Sequence, residues 1–210
     1  MFIHSRTHPH HRLPLSTLAQ TLFPFFRHTI ANVRLAVVNT LDSFMAVSSL
    51  PRDWIQSPFL RLLFQNIVAE ERSDIRNASL SAWRTALTIV SSTPGWLENV
   101  VAQQLILDWY SIMMTPIGVP INSTVFYYPS VAADNNATPE RHNVDKNMLS
   151  QDLSLVSVDI VLKARIAAAT ALAYLTACWP PQVKLEHFLK FPDIHLSSYR
   201  RHWKISFTPS

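Results

Sequence analysis

The chain has 210 residues, 48% hydrophobic and 15% charged, with a formal net charge of +4; that is apolar material enough for one ordinary domain or several stacked repeats, and it excludes disorder throughout. Its two glycines, Gly95 and Gly118, cannot supply either common glycine-rich phosphate loop and argue against a fold built on hairpin turns. The single Cys178 excludes an intramolecular disulfide and a cysteine zinc cluster, which favours a reducing intracellular compartment.

Residues 1–13 read as a flexible, basic, His-rich start without a signal-peptide pattern. His8, His10 and His11 have a spacing that could hold a metal, yet no carboxylate or cysteine accompanies them, so no metal is expected. From there the apolar spacing is helical. Leu15, Leu18, Leu22, Phe25 and Phe26 predict a helix over 15–28 kinked by Pro24, and Val33, Val37, Leu41, Phe44 and Val47 predict its partner, closed by Pro51. The second unit, 51–92, has a helix through Trp54, Phe59, Leu60, Leu63, Phe64, Ile67 and Val68 that ends in Glu70, Glu71 and Arg72. Its partner carries Ile75, Leu80, Trp83, Leu87 and Val90, with Ser73 or Asp74 as N-cap.

A third unit, 93–180, opens with Thr93 as cap and Pro94 at the first helical position, and one helix is expected from Trp96 to Met113. Its partner is displaced to Val161 onward by an insertion at 115–157. Within that insertion 117–126 is expected to be ordered, 129–141 to be mobile and 148–156 to form a short amphipathic helix. The apolar run from Ile166 to Trp179 is too short for a membrane span of about 20 residues, so a soluble protein is expected. Pro180 and Pro181 then break the helix, 183–191 reads as another helix start, and 181–210 is an incomplete repeat or irregular tail.

The units repeat. Val33 and Ile75, Arg34 and Arg76, Ala36 and Ala78, Leu41 and Trp83, and Phe44 and Ala86 all stand 42 apart, and Arg165, Ala167, Leu172 and Leu175 restore the spacing after the insertion. A period of roughly 40–47 residues built on helix pairs is the mark of HEAT and armadillo arrays. The fold class is therefore all-α, a HEAT/ARM-like solenoid of about three helical hairpins. Arg34, Arg76 and Arg165 recur just inside each second helix, where an arginine can bond a neighbouring repeat's helix end or acidic residue while its stem packs on the apolar layer. The competing reading is a basic ligand groove.

No catalytic constellation emerges. Asp42 with Asp53, or Glu70 with Glu71, could be drawn as acid/base pairs, but each lies on a polar face or helix end where solvated charge is expected. Cys178, with His187 nearby in sequence, reads as a buried packing residue rather than a nucleophile. Trp54, Phe59, Phe64, Trp83, Trp96 and Trp109 follow helical spacing and read mostly as core, some as interface anchors.

Four ordered segments carry a family resemblance: 23–34 (FPFFRHTIANVR), 63–76 (LFQNIVAEERSDIR), 113–120 (MMTPIGVP), and 144–153 (VDKNMLSQDL) with 164–169 (ARIAAA). Together, over about residues 19 to 180, they resemble the central helical-repeat region of the TATA-binding-protein-associated factors of the SWI/SNF-type ATPase family. The resemblance implies a nuclear HEAT array that grips the TATA-binding protein, DNA being reached only through that complex, and a motor elsewhere that strips the protein from promoters. It implies neither cofactor nor small-molecule ligand here, and no membrane. The motor is absent from this chain, residues 181–210 fit the family poorly, and the chain reads as a segment of a longer protein. Pro116, Ile117, Gly118 and Pro120 are the candidate partner-contact loop. The alternatives are a generic HEAT adaptor of the transport-receptor or phosphatase-scaffold type, and direct DNA binding through the basic ends.

Overall fold

A computed structural model describes residues 14–119, 121, 123–127, 129 and 157–179. The described residues form helices and turns with no β-strand: α1 Leu15–Thr21, a 3-10 segment Phe23–Arg27, α2 Ala31–Ala46, α3 Ser57–Ala69, α4 Ser73–Ser91, α5 Trp96–Val100, α6 Gln103–Met114, a short 3-10 turn Ser123–Val125, and α7 Val158–Cys178. The fold is all-α. One unit ends at Cys178; the other, from Trp179 onward, contributes only Trp179 to the described residues.

The helices lie in two layers. In one, α3 touches the first 3-10 segment on one side and α6 on the other. In the second, α4 touches α2 and α7, and α3 packs against both α4 and α7. α3 is the interior helix: Phe59, Leu60 and every residue from Leu62 to Val68 are buried, which is the pattern of a helix enclosed on all sides. Pro58 suits its first turn, where a missing N–H costs nothing.

Several element boundaries differ from the expected ones. The helix expected over 15–28 is α1 followed by a 3-10 segment, because Pro24 cannot donate to the ladder and its ring obstructs a continued α-helix. Phe25 N–H instead reaches back to Leu22 O, and His28 N–H to Phe25 O, both at 3.1 Å. Trp54 lies in a turn before α3 rather than in it. At α4 the cap position is Arg72, and Ser73 and Asp74 are already helical. Asp74 serves there as a first-turn carboxylate beside the positive helix end, accepting from Ile75 N–H; its hydrogen bond from Arg72 holds it below the ordinary aspartate range.

The helix expected from 96 to 113 is two helices, interrupted at Val101 and Ala102 next to a pair of β-branched valines. Thr93 and Pro94 belong to the preceding turn, in which Trp96 N–H bonds Thr93 O and Gly95 takes φ 76°, a conformation only glycine adopts without strain. α7 runs to 21 residues, longer than the apolar run expected from sequence, and is long and apolar enough to cross a membrane by length and composition. Its apolar stripe of Val161, Ala164, Ala168, Ala171, Leu172 and Leu175 is buried, and α7 packs on α3 and α4. The expected short helix at 148–156, the mobile stretch at 130–141 and the segment 183–191 lie outside the described residues.

Two aromatic clusters tie the helices together, the second of them across the layers. Phe23, Phe26, Trp54 and Phe59 pack with ring centroids 5.0–6.5 Å apart. Phe64 from α3, Trp83 from α4 and Trp109 from α6 meet at 5.1–5.8 Å, and the Trp83 indole N–H donates to Ala171 O of α7 at 2.9 Å. Trp83 thus touches α3, α6 and α7 from a fully buried position. Trp83→Ala is expected to lower unfolding stability by about 3–5 kcal/mol, the usual cost of emptying a large aromatic site; urea unfolding followed by circular dichroism measures it, and a loss below about 1 kcal/mol would contradict this placement.

Candidate functional site

Arg34, Arg76 and Arg165 each stand in the first turns of α2, α4 and α7, and each reaches the end of the first-layer helix that precedes it. Arg34 Nη1 donates to His28 O at 2.7 Å and Thr29 O at 3.2 Å. Arg76 Nη1 donates to Glu70 O at 2.9 Å and Glu71 O at 3.5 Å. Arg165 donates to Ile112 O at 2.6 Å and Thr115 O at 2.7 Å. A helix leaves its last carbonyls without intrahelical partners, and a guanidinium supplies several donors in one plane. The carbonyls bonded in this way belong to the same hairpin as the arginine; of the two partners expected from sequence, a neighbouring repeat's helix end or acidic residue, Arg34 meets the second at Glu70. Burial lowers the pKa of Arg165, from a value high enough that the group stays cationic at neutral pH.

Arg34 makes one further contact. Its Nε and Nη2 hold the Glu70 carboxylate at 2.8 and 3.0 Å, a bidentate pair in which Glu70 is 2% exposed. Glu70 is expected from sequence to be a solvated charge at a helix end; it is instead buried, and with Arg34 makes a polar link between the first two hairpins. The partners are 36 residues apart, and no local pattern marks such a pair. A crevice of about 10 Å³ beside it, room for about one water, is lined by Phe26, Arg27, Leu62, Gln65, Asn66, Ala69 and Glu70. Removing one member of a buried ion pair strands the other, so Arg34→Met alone is expected to cost about 3–5 kcal/mol. The double variant Arg34→Met with Glu70→Leu should recover at least half of that, as read from urea midpoints; a double-variant loss equal to the sum of the two single-variant losses would show that the pair is not coupled.

The candidate loop follows α6. Val119 N–H bonds Pro116 O at 3.1 Å, closing a turn with Gly118 at its third position and φ 83°, as a type II turn requires. Met114, Ile117 and Val119 are exposed around it, Met114 at 70%, and Pro116 is exposed too. Arg165 anchors the base of this loop through Thr115 O. Pro120 lies outside the described residues.

Beyond the turn, the chain comes back against α3. Arg61 Nη2 donates to Val125 O at 3.1 Å, Gln65 Nε2 donates to Tyr127 O at 3.1 Å, and Tyr127 N–H donates to Gln65 Oε1 at 2.7 Å. Phe126 is buried, and the Arg61 guanidinium lies 5.9 Å from the Tyr127 ring centroid. Sequence reading singles out neither Arg61 nor Gln65. The available signal is a glutamine inside an otherwise apolar helix, which must find a partner.

The remaining candidates are not brought together. Asp53 and Glu71 are exposed, and Asp42 is half-buried on α2. Cys178 is half-buried at the end of α7, less enclosed than expected, and His187 lies outside the described residues, as do His8, His10 and His11. Trp54, Phe59, Phe64, Trp83 and Trp109 are core, while Trp96 is half-buried. Among the described residues no three His, Cys, Asp or Glu side chains come close enough to hold a metal ion.

A family described as a domain of unknown function, DUF3535, matches residues 82–200. The TATA-binding protein-associated factor mot1 of Aspergillus fumigatus is 28% identical over 198 residues, covering 77% of this chain and 10% of that protein. The protein of the same name in Saccharomyces cerevisiae is 27% identical over 184 residues, covering 75% and 10%. The TATA-binding protein-associated factor BTAF1 of Arabidopsis thaliana is 29% identical over 126 residues, covering 55% and 6%. The chain spans about a tenth of the length of the curated relatives it matches. The family match also takes in residues 181–200, which the segment-by-segment resemblance leaves outside. With more than half of its length inside that match, the chain belongs to the DUF3535 family.

Proposed function

We propose that this chain is a HEAT-type scaffold segment of a nuclear transcription regulator that binds the TATA-binding protein. The observation that carries the proposal is similarity across three quarters of the chain to proteins named TATA-binding protein-associated factors. Helical hairpins in two layers, with equivalent residues 42 apart, support a solenoid reading, and solenoids act by presenting extended surfaces. In this reading the units are 14–50, 51–92 and 93–180, and Arg34, Arg76 and Arg165 hold the scaffold rather than a ligand. The removal of the TATA-binding protein from DNA at the expense of ATP belongs to the longer protein. This segment needs no cofactor for its part and meets DNA through the complex.

The surface assigned to the partner is the turn at Pro116, Ile117 and Gly118, continuing to Pro120. Its physical support is that Met114, Ile117 and Val119 expose apolar side chains on a loop whose base Arg165 fixes, and clustered exposed apolar groups on an anchored loop favour association. The test is retention of purified TATA-binding protein by the full protein carrying this segment. Ile117→Asp with Val119→Asp is expected to weaken retention at least about tenfold, the scale of a contact residue at an interface centre, without changing the thermal unfolding midpoint. Full retention after deletion of residues 115–141 would remove the loop from the interface, and failure of the full protein to retain the TATA-binding protein would overturn the functional reading.

A further inference from the structure

The turn that leads into α2 closes on a histidine ring. His28 Nδ1 accepts the backbone N–H of Ile30, the cap residue of α2, at 3.1 Å, while His28 O accepts from Arg34 Nη1 of the same helix at 2.7 Å. An imidazole nitrogen accepts only while it carries no proton, so this bond specifies the neutral ring with its hydrogen on Nε2. The ring is half-buried beside Phe25, the two centroids 6.2 Å apart. Ile30 has no side-chain acceptor of its own to offer the helix start. Among the described residues, the imidazole is the side-chain acceptor that a backbone N–H uses there.

We propose that His28 is a proton-sensitive catch on the first hairpin: the neutral ring holds the start of α2, and a ring that has taken up a proton releases it. Three features oppose the charged ring in this position. A protonated Nδ1 is a donor and faces the Ile30 N–H, another donor. The added charge stands beside the N-terminal end of α2, where the helix dipole is already positive. The cations nearest in the chain are Arg27, next to it, and Arg34, bonded to its carbonyl. The elements packed on this 3-10 segment supply little to offset them. α1 has no ionisable side chain, α2 has Asp42 two turns beyond Arg34, and α3 has Arg61, with Glu70 at its end engaged by Arg34. Arg72, which reaches Asn32 at 3.5 Å, is paired with Asp74. Folding thus excludes a proton that the unfolded chain accepts, and stability falls as the pH falls. Because Arg34 joins His28 O to Glu70, release of the α2 start reaches the contact between the first two hairpins. This inference stands apart from the transcriptional reading, since it uses only the first hairpin and its junction with the second.

The test uses the 210-residue chain and two variants. His28→Asn keeps an acceptor that reaches the N–H two residues on and does not titrate, whereas His28→Ala removes the acceptor. The other histidines are common to all three chains, so their titration cancels in the comparison. Lowering the pH from about 8 to about 5, the interval in which histidine changes charge, is expected to lower the thermal midpoint of the unaltered chain by about 2–4 °C more than that of His28→Asn, the scale of a lost helix cap in a chain of this length. At about pH 8, His28→Ala should melt below the other two. Equal pH dependence in the unaltered chain and His28→Asn would overturn the proposal. Should His28→Asn fail to fold, ring-nitrogen NMR of the unaltered chain decides: the hydrogen is expected on Nε2 at neutral pH, and a hydrogen on Nδ1 overturns the catch.

Discussion

The end of each first-layer element meets its own partner helix with its last carbonyls lacking an intrahelical donor. An arginine from the opening turns of the partner helix meets that constraint three times, at His28 and Thr29, at Glu70 and Glu71, and at Ile112 and Thr115. Lysine could not replace it easily, because the bonds fan out from one planar group with a fixed geometry. Glu70 extends the arrangement: its carbonyl accepts from Arg76 while its carboxylate holds Arg34 and accepts from Arg72 N–H. Glu70 thus takes part both in closing the second hairpin and in joining it to the first.

α3 shows the same logic from the side of burial. A helix enclosed on every face has no solvent to satisfy its polar residues, so Asn66 turns to Ser79 Oγ at 3.4 Å and Gln65 to the backbone of Tyr127. The first limb of the insertion is therefore part of the packed unit: it completes the hydrogen bonding of the innermost helix and buries Phe126. A segment that follows α6 thus satisfies a polar group that the packed helices leave over.

What the sequence discloses follows the range of the physics involved. Hairpins and the stripes of Leu41, Trp83 and Leu172 are legible because helical periodicity and proline act within a few residues, and all three side chains are buried. The recurring arginines are legible as a repeat, but their acceptors are not, since a carbonyl carries no residue identity. Glu70 reads as a solvated charge because nothing near it in sequence announces Arg34, 36 residues away. The docking of Tyr127 on Gln65 is hidden for the same reason at 62 residues. The break at Val101 and Ala102 and the change to 3-10 geometry at Leu22 are boundary effects, decided by one or two residues and by packing around them.

α7 illustrates why composition alone misleads about environment. Its 21 residues satisfy the length and apolarity of a membrane span, and the same qualities suit a helix packed along one face on its neighbours. The distinction lies in the polar contacts. Ala171 O, in the middle of the helix, accepts from the Trp83 indole, and near the N-terminal end Arg165 donates to two carbonyls of the α6 terminus. Hydrogen bonds that leave a helix at its centre and near its start, both toward one protein unit, fix its register against α4 and α6. The buried alanines Ala164, Ala168 and Ala171 then let the backbones approach closely enough for the Trp83 bond to form. Close helix packing thus accounts for the small apolar residues on the buried face of α7, with Trp83 setting the depth to which that face docks.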